Sequence, residues 1–159
     1  MKAVLSHGRG LALALVATLA LVAVQPGCDD GPCGQSANTL EGSIGELYDI
    51  KVDHVTARKV DAETVVIEYY HGADIVAKVV ADVRDFKKGA SIPLVDGTVY
   101  RVTSPPTDFP EDIDAGVISF ETDLDEGSNV IGCWNVKFNM DDGGQRTLNG
   151  TFESKLEGA

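Results

Sequence analysis

Acidic side chains are the most abundant groups in this sequence that could take part in chemistry. The 159 residues contain 25 Asp and Glu against 13 Lys and Arg, and the formal net charge is −12. One set of candidate metal ligands lies in the segment DLDEGSN and consists of Asp123, Asp125, Glu126 and Asn129. Calcium is bound by six to eight oxygen atoms, and these side chains could supply several of them. The segment therefore offers a calcium site, although Gly127 stands where the EF-hand pattern places its third ligand.

A second acidic segment covers residues 105–114 and has the sequence PPTDFPEDID. Its prolines stiffen a loop that carries Asp108, Glu111, Asp112 and Asp114. The alternative for both acidic segments is a solvent-exposed loop between strands, in which the charge serves only solubility. The surplus of negative charge repels phosphate backbones and anionic headgroups. It therefore argues against nucleic acid as a partner and against electrostatic adhesion to a membrane.

No segment of the sequence matches a catalytic motif. Beyond residue 27 the only histidines are His54 and His71, and no G-x-S-x-G, H-E-x-x-H or phosphate-binding glycine loop occurs. Pairs of carboxylates as in glycosidases are conceivable, but 25 acids allow too many pairs for one to be selected. We therefore predict that the protein is not an enzyme and needs no cofactor, with calcium as the one candidate ion.

Four aromatic residues raise a different possibility, the stacking of side-chain rings on sugars. They are Tyr69, Tyr70, Tyr100 and Trp134. Trp134 shares its strand face with the apolar residues around it, which favours a position in the core. Carbohydrate binding is therefore kept as an alternative and not as the main interpretation.

The first 27 residues have the composition of a bacterial export signal. The N-terminal part contains Lys2 and Arg9 and no acid, and the uncharged segment from Leu11 to Val24 follows. Its fourteen residues are too few for a membrane span, which needs about 20, and suit the apolar region of a signal peptide. Residues 1–27 are therefore predicted to form a signal-peptide helix. Its removal would take the net charge from −12 to −14.

The end of this leader carries Gly27 and Cys28, followed by Asp29 and Asp30. This arrangement resembles the lipobox of bacterial lipoproteins. In that family the cysteine thiol receives diacylglycerol, the leader is cut directly before it, and the new amino terminus is acylated by a fatty acid such as palmitate. Gln25 departs from the pattern, because an aliphatic residue is usual there. The resemblance implies that Cys28 carries a lipid anchor.

The resemblance implies that the protein is localised in the cell envelope, in the outer membrane rather than the inner one. Asp29 directly after the cysteine also resembles an inner-membrane retention signal of some Gram-negative bacteria, and the leaflet is left open. A freely secreted protein cleaved nearby is the alternative. The membrane is thus the predicted partner through the lipid, and a protein or glycan partner is unknown.

The same resemblance accounts for the odd number of cysteines, which are Cys28, Cys33 and Cys133. If Cys28 is lipidated, Cys33 and Cys133 remain as a pair in an oxidising compartment, where disulfides form. Their bond would close a loop of about 100 residues. The competing arrangement is a local Cys28–Cys33 bridge with Cys133 free. A metal site is not indicated, because no histidine stands near the other cysteines.

Hydrophobic residues alternate with polar ones at a period of two over most of the chain beyond Glu46, which is typical of strands with one buried face. One such face holds Val65, Ile67 and Tyr69, and another holds Ile75, Ala77, Val79, Ala81 and Val83. Residues 28–42 are small, polar and rich in glycine, and are predicted to be a flexible tether.

Two hairpins are predicted. Asp96 and Gly97 separate two strand-like segments within residues 91–102, which is a strong hairpin signal. The second hairpin spans residues 129–156 around the turn at residues 141–144. Its buried face is predicted to contain Val130, Trp134, Val136, Phe138, Met140, Leu148, Phe152 and Leu156. Cys133 has the opposite parity and is predicted to point outward.

These patterns predict an all-β domain over residues 43–159, an antiparallel β-sandwich or small barrel of about eight strands. The main functional prediction is a lipid-anchored envelope protein with a non-catalytic binding or structural domain. It is similar in this respect to small lipoproteins of Gram-negative envelopes. The alternatives are a small hydrolase or enzyme-inhibitor domain, and a calcium- or carbohydrate-binding module.

Overall fold

The computed structural model describes residues 33–34 and 38–158. The predicted signal peptide and Cys28 lie outside the described residues. Nine strands and one short helix make up the described part. The elements are β1 (Thr39–Glu41), α1 (Ser43–Leu47), β2 (His54–Lys59), β3 (Thr64–His71), β4 (Asp74–Asp82), β5 (Ser91–Pro93), β6 (Val99–Val102), β7 (Ile113–Phe120), β8 (Asn129–Asn139) and β9 (Gln145–Glu157). The prediction of an all-β domain is confirmed.

The strands form one curled sheet in the order β5-β7-β8-β9-β2-β3-β4-β6, which makes a half-barrel. β1 pairs with β9 outside this order. The sheet differs from the prediction in one respect, because it is mixed and not wholly antiparallel. β2 runs parallel to the end of β9, with Ala57 opposite Leu156. This pairing joins strands that lie almost 100 residues apart in the sequence, so no local sequence pattern could predict it.

The core lies on the concave side of the sheet and consists of the side chains that the alternating pattern placed there. Burying them is favourable because it removes apolar surface from water. The largest of these residues, all fully buried or nearly so, are Trp134, Tyr69, Phe120, Phe138, Phe152, Ile67, Ile118, Leu148 and Leu156. The C-terminal hairpin of β8 and β9 has the predicted strands, turn and buried face.

One polar chain crosses this core. The indole Nε1 of Trp134 on β8 donates to the hydroxyl of Tyr69 on β3 at 2.9 Å, and that hydroxyl donates to the carbonyl of Thr151 on β9 at 3.1 Å. Burial raises the pKa of Tyr69 far above its ordinary range, although the bond from Trp134 opposes the shift. The phenol therefore stays neutral and joins three strands through satisfied hydrogen bonds.

The predicted hairpin within residues 91–102 is wrong. β5 pairs with β7 and β6 pairs with β4, so the two strands lie at opposite ends of the sheet order. Asp96 and Gly97 do form a turn, but the Asp96 carboxylate accepts from the Ile113 amide at the start of β7.

The connection between β5 and β6 bridges the two ends of the sheet. The Leu94 amide donates to the Gly116 carbonyl on β7, and the Val80 amide on β4 donates to the Thr98 carbonyl. Residues 94–98 therefore hold the curled sheet together across its open side.

The segment predicted as a tether, residues 28–42, contains a strand just before the predicted domain boundary at residue 43. Thr39–Glu41 forms a strand, with Thr39 opposite Thr151 of β9 and a hydroxyl–hydroxyl distance of 2.9 Å between them. The Asn38 side chain accepts from the Glu153 amide at 2.7 Å. The folded domain thus includes these residues, because the polar side chains that suggested a tether bond to the edge of β9.

Candidate functional site

The Cys33–Cys133 disulfide is present, as predicted, with the two Cα atoms 5.2 Å apart. Cys133 lies on the outer side of β8, between Ser119 of β7 and Thr151 of β9. The Cys33 amide donates to the Glu121 carboxylate at 2.9 Å. The chain before β1 is therefore fastened to the outside of the sheet at a point where β8 has neighbours on both sides.

A group of charged and aromatic side chains in mutual contact lies on the outer face of β2, β3, β4 and β6. We call it the outer-face cluster, and it consists of His54, Arg58, Glu68, Tyr70, Lys78 and Tyr100. Cross-strand register places Glu68 opposite Lys78, and Lys78 opposite Tyr100. Adjacent strands thus bring together residues that no short motif connects.

Glu68 is the centre of this cluster. Its carboxylate lies 2.8 Å from the Lys78 ammonium and 3.6 Å from the Arg58 guanidinium, and it accepts from the Tyr70 hydroxyl at 2.9 Å. The residue is only 5% exposed, although it lies on the outer side of the sheet. Long neighbouring side chains cover it, and the ring of His54 stacks on that of Tyr70 at 4.6 Å.

The electrostatics of the cluster keep both members of its main ion pair charged. Burial raises the pKa of Glu68, but the bonds from Lys78 and Tyr70 and the charges of Lys78 and Arg58 outweigh it, so the pKa lies below 4.5. Burial lowers the pKa of Lys78. The hydrogen bond to Glu68 and the other contacts together outweigh this effect, so the pKa of Lys78 lies above 10.5. Burial and the bond to Glu68 raise the pKa of Tyr70. A carboxylate held in this way is a poor general base.

Glu68→Gln is expected to lower the free energy of unfolding by about 1–2 kcal/mol at neutral pH, because a charge-assisted pair becomes a weaker amide contact. A depressed pKa contributes stability above the unfolded-state value near 4.5, and this contribution is lost as the pH falls through the folded-state pKa. The difference between wild type and variant should therefore shrink in acid. Urea unfolding at neutral and acidic pH measures it.

The matched control for this prediction is Glu63→Gln, which neutralises an exposed acid on the turn before β3 and should change stability by less than about 0.5 kcal/mol. A Glu68→Gln variant as stable as wild type at neutral pH would contradict the assigned role of Glu68.

A pocket at one end of the half-barrel collects part of the second acidic segment. We call it the end pocket; it has a volume of about 360 Å³ and is lined by Tyr48, Asp108, Pro110, Glu111, Asp112, Asn139, Met140 and Asp141. Phe109 packs between Tyr48 and Phe138, with ring centroids 5.7 Å from each. This packing turns the loop back on the core, so its carboxylates line a cavity. Asp114 lies outside it and pairs with Lys137.

Four carboxylates line the end pocket. Among the described residues no Lys or Arg forms a salt bridge with its four carboxylates, which belong to Asp108, Glu111, Asp112 and Asp141. In the same part of the chain no three acidic, histidine or cysteine side chains converge as metal ligands do. The carboxylates therefore surround a space instead of meeting at one point.

The residues proposed from the sequence as calcium ligands lie around the turn between β7 and β8. Asp123 lies 3.8 Å from the ammonium of Lys88, and the Asn129 amide donates to Glu153 at 2.6 Å. The carbonyl of Asp125 accepts from the Ser128 hydroxyl, and the Glu126 carboxylate lies beside Gly158. The structure does not gather these side chains around a common centre, and calcium binding stays a prediction.

The two histidines have different surroundings, since His71 pairs with an acid and His54 stacks on a tyrosine ring. Nδ1 of His71 lies 3.1 Å from the Asp53 carboxylate, which also accepts from the Gly72 amide at 2.7 Å. The Gly72 and His71 bonds lower the pKa of Asp53. This exposed Asp53–His71 pair stabilises the β3–β4 turn, while His54 belongs to the outer-face cluster.

Of the four aromatic residues considered for sugar stacking, Tyr69 and Trp134 are in the core, as expected for Trp134. Tyr70 and Tyr100 lie on the outer face, where His54 covers one ring and the Lys78 ammonium lies 5.5 Å from the centre of the other. The sequence patterns did not indicate a role for Glu68. Its only local signal was an acid inside the apolar run VVIEYY, at a position of outward parity.

Comparisons with known proteins leave the residues themselves as the basis for any functional argument. No protein-family model, curated protein or solved structure matches the chain. Within the part of the chain that the structure describes, no helix is long and apolar enough to cross a membrane.

Proposed function

We propose that the protein is an exported bacterial lipoprotein, anchored to the cell envelope through Cys28, with a non-catalytic binding module as its folded domain. The observation that carries this proposal is the Cys33–Cys133 disulfide. It pairs two of the three cysteines with each other, so no cysteine of the chain remains to pair with Cys28, which directly follows the leader-like segment. Structural disulfides also belong to oxidising compartments outside the cytoplasm, which supports export.

The placement of the ionisable groups supports a binding role over a catalytic one. Glu68 and Lys78 hold each other charged, and the Asp53–His71 pair lies on an exposed turn. Catalytic acids and bases need a pKa near the working pH and a reacting group within reach. The strongest shifts in this domain move pKa values away from neutrality instead.

Membrane fractionation of cells that express the full chain tests the anchor. Wild type is expected to float with the membranes, because the acyl chains on Cys28 contribute about 0.8 kcal/mol per buried methylene. Cys28→Ser should leave the membrane fraction or accumulate uncleaved. The control is the double change Cys33→Ser with Cys133→Ser, which removes the disulfide but should still float. A Cys28→Ser protein that is cleaved and floats like wild type would contradict the proposal.

A second candidate function, the binding of a positively charged organic ligand, is favoured by the end pocket. Its carboxylates line one cavity together with Tyr48. The Arg101 guanidinium already lies 5.6 Å from the centre of the Tyr48 ring, so the carboxylates are the groups that would attract the cation. Calorimetric titration with spermidine is expected to show salt-sensitive binding that the double change Asp108→Asn with Glu111→Gln weakens at least tenfold.

The matched control is Asp123→Asn with Asp125→Asn, which removes the same charge from the turn between β7 and β8. It should leave spermidine binding unchanged. Titration of the same proteins with calcium tests the sequence-based calcium site, since a response abolished only by this control pair would support it. The absence of spermidine binding to wild type would contradict the second candidate function.

A further inference from the structure

We infer that the Cys33–Cys133 disulfide orients the domain on the membrane, with the outer face of β7, β8 and β9 toward the bilayer surface. The inference rests on the lipidation of Cys28 proposed above. It identifies this face as an interaction surface whose partner is the layer of lipid headgroups.

The length of chain between the anchor and the disulfide sets the distance. Cys33 follows Cys28 by five residues, and a fully extended chain spans at most about 3.6 Å per residue, so the reach is about 18 Å. Without the disulfide the first strand that fastens the chain begins at Thr39, eleven residues after Cys28, and the reach grows to about 40 Å. The disulfide thus reduces the maximum reach of the tether to less than half.

Because the domain is wider than this short reach, the tether restricts how the domain can be oriented on the membrane. A folded chain of about 120 residues has a radius of gyration of about 14 Å and a diameter of about 35 Å. If the domain turned its opposite side to the bilayer, Cys133 would lie farther from the lipid than about 18 Å of chain can span. A reach of about 40 Å would permit either orientation, so the disulfide removes that freedom.

A hydrogen bond across the core shows which side of the domain lies opposite Cys133. Cys133 points outward from β8, while the neighbouring Trp134 points inward and donates to Tyr69 of β3 across the core. The outer side of β3 therefore faces away from the outer side of β8. The outer-face cluster around Glu68 lies on that far side and is directed away from the membrane.

The chemistry around Cys133 is compatible with a nearby headgroup layer. Along β8 its outward neighbours are Ile131 and Asn135, and across the sheet it faces Ser119 and Thr151. None of these is charged, in a chain whose net charge is −12. Two acids near this position have hydrogen-bond partners of their own: Glu121 accepts from the Cys33 amide, and Glu153 accepts from Asn129.

Energy transfer from Trp134 to dansyl-labelled headgroups measures the orientation, because Trp134 is the single tryptophan and adjoins Cys133. Lipidated protein is reconstituted into phosphatidylethanolamine–phosphatidylglycerol vesicles. A Gly-Ser insertion of about twelve residues between Gly31 and Pro32 adds up to roughly 40 Å to the tether. It should lower the transfer efficiency at least twofold while the disulfide and the fold stay intact.

The matched variant carries the same insertion between Gly34 and Gln35, inside the loop that the disulfide bypasses, and should transfer energy as wild type does. Equal transfer in all three proteins, or an equal loss in both variants, would overturn the orientation. Flotation with the vesicles and the acyl mass on Cys28 are measured on the same samples. Their absence would identify a failure of the proposed anchor, and would overturn the orientation with it.

Discussion

Replacement of Cys33 and Cys133 together by serine is expected to lower the free energy of unfolding by about 4–5 kcal/mol. The disulfide joins residues 100 apart in the sequence, and in the chain-entropy model a loop of this length restricts the unfolded chain strongly. Urea unfolding of the solubilised mature protein, followed by Trp134 fluorescence, measures the loss. Far-ultraviolet circular dichroism should show that the β-sheet is retained at low urea.

Two comparisons separate the disulfide from local effects of the substitutions. Cys33→Ser alone should cost about as much as the double change, since either substitution breaks the bond. Wild type in the presence of a reductant should unfold like the variants. A double variant within about 1 kcal/mol of oxidised wild type would contradict the stabilisation expected from restriction of the unfolded chain.

The second large effect is expected for Gly150→Ala, which should destabilise the domain by about 3 kcal/mol. A Cβ at this position would lie 2.7 Å from the hydroxyl of Tyr69 and closer still to the indole nitrogen of Trp134. Both groups are buried and joined by a hydrogen bond, so they cannot move aside without breaking it. Overpacking and the loss of a buried hydrogen bond each contribute about 1–3 kcal/mol.

Gly45→Ala is the matched control for this prediction. Its Cβ would meet the nearest atoms only at 3.8 and 3.9 Å, in ordinary contact, and alanine favours the helix α1 in which it lies. Urea unfolding should show this control to be as stable as wild type or slightly more so. A Gly150→Ala protein that keeps wild-type stability would contradict the tight packing of β9 against the Trp134–Tyr69 pair.

The features that the sequence predicted correctly depend on neighbours along the chain. Alternation in β3, β4, β8 and β9 identified their buried faces, because successive side chains of a strand point to opposite sides. The β8–β9 hairpin was predictable because its turn connects two strands of matching parity. The disulfide was predicted because lipidation of Cys28, which the lipobox resemblance implies, leaves Cys33 and Cys133 as a pair, and the outward parity of Cys133 agreed with it.

The features that the sequence did not predict depend on pairings between distant strands. Asp96 and Gly97 form a turn, but β5 and β6 find partners in β7 and β4, and nothing in the local pattern distinguishes this from a hairpin. The cluster around Glu68 was hidden for the same reason. Its members come from β2, β3, β4 and β6, and only the cross-strand register brings Arg58 and Lys78 to one carboxylate.

The end pocket combines a feature that the sequence predicted with features that it did not predict. The acidic loop before β7 was identified as a candidate from its composition, but its partners were not. Tyr48 and Asp141 join it only because the residue after α1 and the β8–β9 turn lie at the same end of the half-barrel.

The most direct test of the lipid anchor is the intact mass of the protein extracted from the membrane fraction. We predict a chain that begins at Cys28, carries acyl mass on that residue, and contains the Cys33–Cys133 disulfide. The Cys28→Ser protein should lack the acyl mass. A mature form without acyl mass, recovered from the medium, would contradict the account.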